Sequence, residues 1–264
     1  MITSLSNSKI KYIRKLKDKR FRQETGHFYI EGIRIFGEAI QNMAGIQTII
    51  YSPELLESEF CLDLINGFDN QERVMQVSKD VFKSISKKDH PQGIGAVITQ
   101  SWQDLDQVDH QHMGIVLALD SVQDPGNLGT ILRTSDAINV RSIVLLDNST
   151  DPYNLSSIRA SMGAVFNHSL IRCKIDEFEE WVRINNINII GTSDRAETEY
   201  YGYDYPENMV LLMGSEKQGL QERHFSLCRD VVKIPMEGRS DSLNLAVATS
   251  LVLYQIYNQR RCKR

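Results

Sequence analysis

Continuous apolar runs alternate with helical stretches along the second half of the chain. Ile115-Val116-Leu117-Ala118-Leu119 is one such run, and others follow at 142–146, 187–190, 209–213 and 231–234. Strands without polar alternation are buried on both faces. The pattern therefore predicts an α/β fold with a parallel sheet covered by helices on both sides. In such sheets ligands bind in loops beyond the carboxyl ends of the strands. Upstream, strands at 27–30, 46–51, 73–77 and 94–99 alternate with helices at 33–40, 55–65 and 81–85, which predicts a smaller α/β domain. Residues 100–113 are polar and acidic and read as a linker. The expected organisation is a domain over 1–99, a linker over 100–113 and a second domain over 114–264.

Charge changes this picture at the N-terminus. Lys9, Lys11, Arg14, Lys15, Lys17, Lys19, Arg20 and Arg22 face only Asp18 and Glu24 within residues 1–25, in a chain of formal net charge −4. Ile10, Ile13 and Leu16 fall at helical spacing, so the segment reads as a helix with one apolar stripe and a basic remainder. Such a face suits a phosphate backbone, and it equally suits solvent. A second basic cluster, Arg260, Arg261, Lys263 and Arg264, ends the sequence.

The chain has 264 residues, 41% hydrophobic and 24% charged, the balance of a globular protein that buries its own core. Its longest near-apolar stretch, around 245–256, is too short for the ~20 residues of a membrane span. No apolar run follows the N-terminal lysines, so no secretory signal is expected. Cys61, Cys173, Cys228 and Cys262 form no C-x-x-C pair, which suggests reduced thiols in the cytoplasm. His110 and His112 lie in the acidic linker and read as solvated, so no metal is expected.

Three loops at strand ends hold the candidate chemistry. The first runs from Asp120 through Pro125-Gly126-Asn127 to Gly129 and Arg133. Asn127 is a natural N-cap there, and an Arg near a helix N-terminus can bind phosphate. The second is Met213-Gly214-Ser215-Glu216-Lys217-Gln218-Gly219. Its glycine spacing is that of a P-loop, but Leu220-Gln221 replaces Lys-Ser/Thr, and no G-x-G-x-x-G is present. The third is Ile234-Pro235-Met236 followed by Ser240, Ser242, Leu243 and Asn244, at the start of a helix running to Tyr257. That helix is apolar on most faces and reads as buried, in part in an oligomer interface. Each loop alone is compatible with a plain structural turn.

Together and in this order the loops resemble the three motifs of the SpoU (TrmH-like) family of RNA ribose 2′-O-methyltransferases, in the SPOUT superfamily. Asn127-x-Gly129-x-x-x-Arg133 resembles the first motif, Gly214-x-Glu216-x-x-Gly219 the second, and Ile234-Pro235-Met236…Ser242-Leu243-Asn244 the third. Residues 11–34 and Pro91-Gln92-Gly93-Ile94 are similar to the ribosomal-protein-like substrate-binding domain that often precedes it. Ala246 departs from the Ser many members carry, a change that concerns helix packing.

The resemblance implies a deep trefoil knot in the second domain and a homodimer. It implies S-adenosylmethionine as cofactor, held by Met213, Gly214, Gly219, Ile234, Met236 and Leu243. It implies catalytic roles for Arg133, Asn127, Glu216, Asn244 and Ser242, with Glu216 orienting Arg133 or a water. A guanidinium is a poor base, so Arg133 is read as a positioner of phosphate and 2′-oxygen. RNA would bind through Lys9, Lys11, Arg14, Lys15, Arg20, Arg22 and Arg34. The two-domain layout favours ribosomal RNA of the 23S type; transfer RNA, a non-catalytic ribosome-assembly factor and a small-molecule methyltransferase are the alternatives. Deleting residues 1–25 is expected to lower RNA methylation sharply and to leave small-molecule methylation unchanged.

Overall fold

The computed structural model describes residues 1–263. In chain order the elements are α1 (Ser8–Lys15), α2 (Lys19–Thr25), β1 (His27–Glu31), α3 (Ile33–Gln41), β2 (Ile46–Tyr51), α4 (Glu59–Asn66), β3 (Val74–Gln76), α5 (Lys79–Ile85) and β4 (Ile94–Thr99). Then come β5 (Ile115–Asp120), α6 (Pro125–Ala137), β6 (Ser142–Leu146), α7 (Leu155–Ser161), β7 (Ser169–Cys173), α8 (Ile175–Ile184), β8 (Ile189–Thr192), β9 (Thr198–Glu199), β10 (Met209–Met213), α9 (Glu222–Leu227), β11 (Asp230–Lys233) and α10 (Leu245–Cys262). They form two compact units: 1–100 with 151–166, and 101–150 with 167 onward.

The first unit has a four-stranded sheet in the order β1-β4-β2-β3. β4 runs antiparallel to β1 and β2, and β2 runs parallel to β3. The apolar stripe of the basic segment is buried: Ile10, Ile13 and Leu16 pack with Val81, Phe82 and Ile85 of α5 and with Tyr29, Ile50 and Val97 of the sheet. The segment is two helices rather than one. The Asp18 carboxylate accepts the Phe21 N–H at 2.9 Å and starts α2 afresh.

Arg22 is not available to RNA, contrary to the expectation. It is 2% exposed, and its guanidinium donates to the Asp151 carboxylate at 2.8 Å and to the carbonyls of Leu16 and Lys17. Asp151, also 2% exposed, begins the segment 151–166 that belongs to this unit. Tyr153 of that segment lies with its ring 4.5 Å from that of Phe28. Sequence patterning gave no sign of this excursion, because the segment departs from the middle of the second half of the chain.

The second unit is a seven-stranded sheet, β7-β6-β5-β10-β8-β11-β9, with every pairing parallel. Residues 101–113 belong to it and are more than a tether. The Gln103 N–H bonds the Leu170 carbonyl at 2.9 Å, Arg172 lies 4.0 Å over the Trp102 ring, and Val108 is buried with Phe178 and Trp181. β5 and β10 are neighbours in register, with Met213 opposite Leu119, so the loops that leave them emerge side by side. β11 lies two places away, but the helix after it packs on α6. The third loop is thereby carried back to the first two. No helix of the described residues is long and apolar enough to cross a membrane.

Deleting residues 1–25 would remove α1 from the core and strip Asp151 of its partner, so single substitutions are the cleaner test. Arg22→Ala leaves a buried carboxylate unpaired, and a loss of about 3–5 kcal/mol is expected in urea unfolding followed by circular dichroism. A loss below about 1 kcal/mol, the range of exposed pairs, would contradict this account.

Candidate active site

The three loops meet in one hydrogen-bonded chain of side chains. The Glu216 carboxylate accepts from the Gln123 N–H at 3.0 Å, the Asp124 N–H at 3.2 Å and the Asn127 side-chain amide at 3.1 Å. The Asn127 Oδ1 accepts from the Asn244 Nδ2 at 2.9 Å. The Asn244 Oδ1 accepts the backbone N–H groups of Ala246 at 2.9 Å and Val247 at 3.3 Å, capping α10. Both ends of this chain are chemically fixed. A carboxylate only accepts, and a helix N-terminus only donates, so each amide between them has one orientation.

The carboxyl of Glu216 responds to two opposing influences. Burial pushes it up, and hydrogen bonds from Gln123, its own backbone, Asn127 and Asp124 pull it down; the net is below the ordinary 4.5. None of these bonds is to Arg133. The N-cap of α6 is Asp124, whose carboxylate accepts the Asn127 N–H at 2.7 Å, followed by Pro125 at the first helical position. Asn127 is therefore inside the helix, its side chain available to bridge the other loops. Arg133 consequently lies more than two turns into α6, exposed and without a hydrogen-bond or ion-pair partner among the described residues.

α6 and α10 run side by side in the same direction. Asn127 and Asn244 join them at their starts, and the hydroxyls of Thr134 and Ser250 meet at 3.1 Å farther along. Two positive helix ends thus lie together at the carboxyl edge of the sheet. Ala246 is buried in the first turn of α10, where it serves packing.

Gly214 follows β10 in a turn closed by the Gly219 N–H on the Ser215 carbonyl at 3.0 Å. A Cβ on Gly214 would stand 2.1 Å from the Gly219 carbonyl carbon and 2.4 Å from the Leu220 nitrogen, so only glycine fits. Gly219 itself has φ +60. Met213 is buried beside the turn, its sulfur accepting the Thr192 hydroxyl at 3.3 Å. Ile234 and Leu243 are half-buried at the two ends of the third loop, and Met236 and Ser242 are exposed within it. Residues 235–243 make no hydrogen bond or ion pair with a described residue. Their backbone groups are thus available to a ligand.

This geometry agrees with what comparison with known proteins finds. The SpoU rRNA methylase family matches residues 114–254, and an MRM3-like substrate-binding domain matches 7–96. The chain belongs to the SpoU rRNA methylase family. Among relatives, the Bacillus subtilis 23S rRNA (guanosine(2553)-2′-O)-methyltransferase RlmP is 28% identical over 255 residues, 97% of this chain and 98% of its own. A crystal structure of an AdoMet-bound rRNA methyltransferase from Sinorhizobium meliloti is 34% identical, covers 97% of both chains and has a TM-score of 0.88. A structure concerned with 2-OH methylation of C/U34 on tRNA covers 56% of this chain and 91% of its own, with 28% identity and a TM-score of 0.50.

In this SpoU chain the other basic candidates lie within the first unit. Lys9, Lys11 and Lys15 are exposed on α1, and Arg34 is exposed in the first turn of α3. Arg14 is half-buried and donates to the Leu5 carbonyl and the Ser84 hydroxyl. Arg20 pairs with Glu24 at 2.8 Å on the surface. Sequence reading missed the Gln123 and Asp124 backbone donors. The Asp124-Pro125 pair was their available signal, since Asp at an N-cap and Pro just after it mark a helix start.

Two substitutions test this geometry. Gly214→Ala should abolish S-adenosylmethionine binding in calorimetry, because the turn must open; binding at wild-type affinity would contradict the fit. Glu216 has a lowered native pKa, so its stabilising contribution is present above about pH 4.5 and is lost as pH falls through the native value. Glu216→Gln should therefore flatten the acid limb of the melting temperature against pH, and an unchanged limb would contradict the assignment.

Proposed function

We propose that this chain transfers the methyl group of S-adenosylmethionine to a ribose 2′-hydroxyl of ribosomal RNA of the 23S type. The observation that carries the reading is the Glu216–Asn127–Asn244 chain of bonds, which joins all three motif loops at the carboxyl edge of the sheet. The Bacillus subtilis relative and the Sinorhizobium meliloti structure, which span both units, are rRNA enzymes by name, which supports rRNA over tRNA. An rRNA substrate implies a cytoplasmic site of action.

The residues fit the cofactor. Gly214 brings the second loop's backbone close, residues 235–243 offer unpaired backbone groups, and Met213, Ile234 and Leu243 supply apolar surface. Gly219, Met236 and Ser242 would complete the same cradle. When bound, S-adenosylmethionine supplies an electrophilic sulfonium methyl. The protein's own task is to align the 2′-oxygen with it and exclude water, which can lower a barrier by ~7–11 kcal/mol. Arg133 has five guanidinium donors and no hydrogen-bond or ion-pair partner among the described residues, so it can hold a phosphate and the 2′-oxygen, stabilising charge as the proton leaves. Glu216, Asn127 and Asn244 act as positioning residues, holding the loops that hold the substrate. The reading includes the trefoil knot, with β10 inserted between β5 and β8 and α10 returning onto α6. It also includes a homodimer. Val247, Leu251 and Tyr254 form an exposed stripe on α10, beside a groove of about 430 Å³ that Thr130 and Tyr200 also line.

Transfer of labelled methyl to 23S, 16S and tRNA transcripts tests the reading. Label should appear on 23S rRNA and fall at least about a hundredfold with Arg133→Ala, the scale of a lost transition-state contact. Label on tRNA alone, or normal turnover by Arg133→Ala, would overturn it. Leu251→Glu should convert the dimer to monomer in sedimentation; an unchanged mass would remove the homodimer from the reading.

A further inference from the structure

A second cavity, of about 520 Å³, opens at the amino edge of the second unit's sheet, opposite the three active loops. That size is in the range of small-molecule sites. Segment 101–113 forms one side as it crosses the starts of β5, β6 and β7, and the last turn of α10 forms the other. Hydrogen bonds fix the frame. The Gln103 N–H bonds the Leu170 carbonyl, the Gly114 N–H bonds the Asn208 Oδ1 at 2.9 Å, and the Asn208 amide returns to the Gln111 carbonyl at 2.7 Å. Val108, Ile115, Ile138 and Val140, all buried, give the cavity an apolar wall.

The rest of the lining is cationic. Arg141, Arg260 and Arg261 face one carboxylate, Asp109, which is already paired with His112 at 3.1 Å. Arg260 donates to the Pro206 and Glu207 carbonyls and contributes mainly charge. The Arg141 guanidinium gives one N–H to the Asn167 carbonyl at 3.2 Å and lies 3.9 Å from Asp136, with more than half of its side chain still exposed. Arg261 lies 5.6 Å over the Tyr257 ring and makes no hydrogen bond or ion pair with a described residue. A helix carboxyl end favours cations, which accounts for Arg260 and Arg261 in the last turn of α10. It does not account for the other members. Arg141 comes from the loop before β6, and Asn139, Ser142 and Ser169 line the same space with side chains that bond no described residue.

We propose that this cavity binds a small phosphate monoester carrying an apolar or planar group, the chemistry of a nucleoside monophosphate. A guanidinium fork meets a phosphate with two parallel bonds, and Arg141 and Arg261, from different elements, suit a dianion held between them. The apolar wall would cover the base, and Asn139, Ser142 and Ser169 offer partners to sugar hydroxyls. The source of this chemistry is a free mononucleotide or the 5′-phosphorylated end of an RNA. A ligand so held joins the last turn of α10 to the loop that follows α6, the two helices whose starts Asn127 and Asn244 tie together. The site stands apart from the active loops and does not depend on the methyl-transfer reading.

Titration calorimetry on the full chain tests the site, with S-adenosylmethionine in excess so that the active loops are occupied. The probes are AMP, GMP, CMP and UMP, with inorganic phosphate and adenosine for comparison. At least one monophosphate should bind once per chain and at least about tenfold more tightly than either comparison. Arg141→Ala and Arg261→Ala should each weaken it about tenfold, the scale of a hydrogen bond to a charged group. Melting temperature and S-adenosylmethionine affinity, read for each variant, check that the unit remains folded. Displacement by a 5′-phosphorylated oligoribonucleotide but not by its 5′-hydroxyl form assigns the site to an RNA end, and displacement by neither assigns it to the free nucleotide. No binding of any monophosphate, binding that excess S-adenosylmethionine abolishes, binding indifferent to both arginine substitutions, or equal displacement by both oligonucleotides would overturn the proposal.

Discussion

Glu216 has no hydrogen to give, and the active region depends on that. Its carboxylate must be met by donors, and those donors are the Gln123 and Asp124 backbones and the Asn127 amide. Once Asn127 turns its NH₂ toward Glu216, its oxygen faces Asn244. Asn244 then has only its own oxygen left for the start of α10. One acceptor fixes the direction of every bond down to the helix cap. Half-satisfied networks of this kind cost more than apolar packing, which gives all the members a stake in each one.

The sheet makes this convergence possible. β5 and β10 are adjacent, so the first two loops are neighbours by register alone. The third loop leaves β11, across β8, and returns only because α10 packs along α6. The resulting geometry puts two helix N-termini at one edge of the unit, with Arg133 exposed farther along α6. An anionic RNA strand is the natural complement to that arrangement.

Much of this was legible in the sequence, for physical reasons. Unbroken apolar runs such as Ile115–Leu119 identify doubly covered strands, and four of the five runs became strands with nearly the expected ends, while 187–190 shifted to β8 at Ile189–Thr192. β7 was missed, because its five residues include Arg172 and its run of apolar positions is too short to register. Asn127 was read as a cap from its residue type; Asp124-Pro125, three residues earlier, captures the helix first. Arg22 looked like one more surface cation among eight. Its burial depends on Asp151, 129 residues away, which no local pattern reports. The role of Glu216 was hidden for the same reason, since its donors come from the loop of another strand.

A double-mutant cycle between Asn127 and Asn244 tests the coupling of the loops most directly. Methyl transfer to 23S rRNA would be measured for Asn127→Ala, Asn244→Ala and the double variant under single-turnover conditions. If one bonded chain holds the loops, the double variant is barely slower than the worse single one, with a coupling of about 1–3 kcal/mol. Losses that simply add, within about 0.5 kcal/mol, would show that the two residues act independently and would contradict the account.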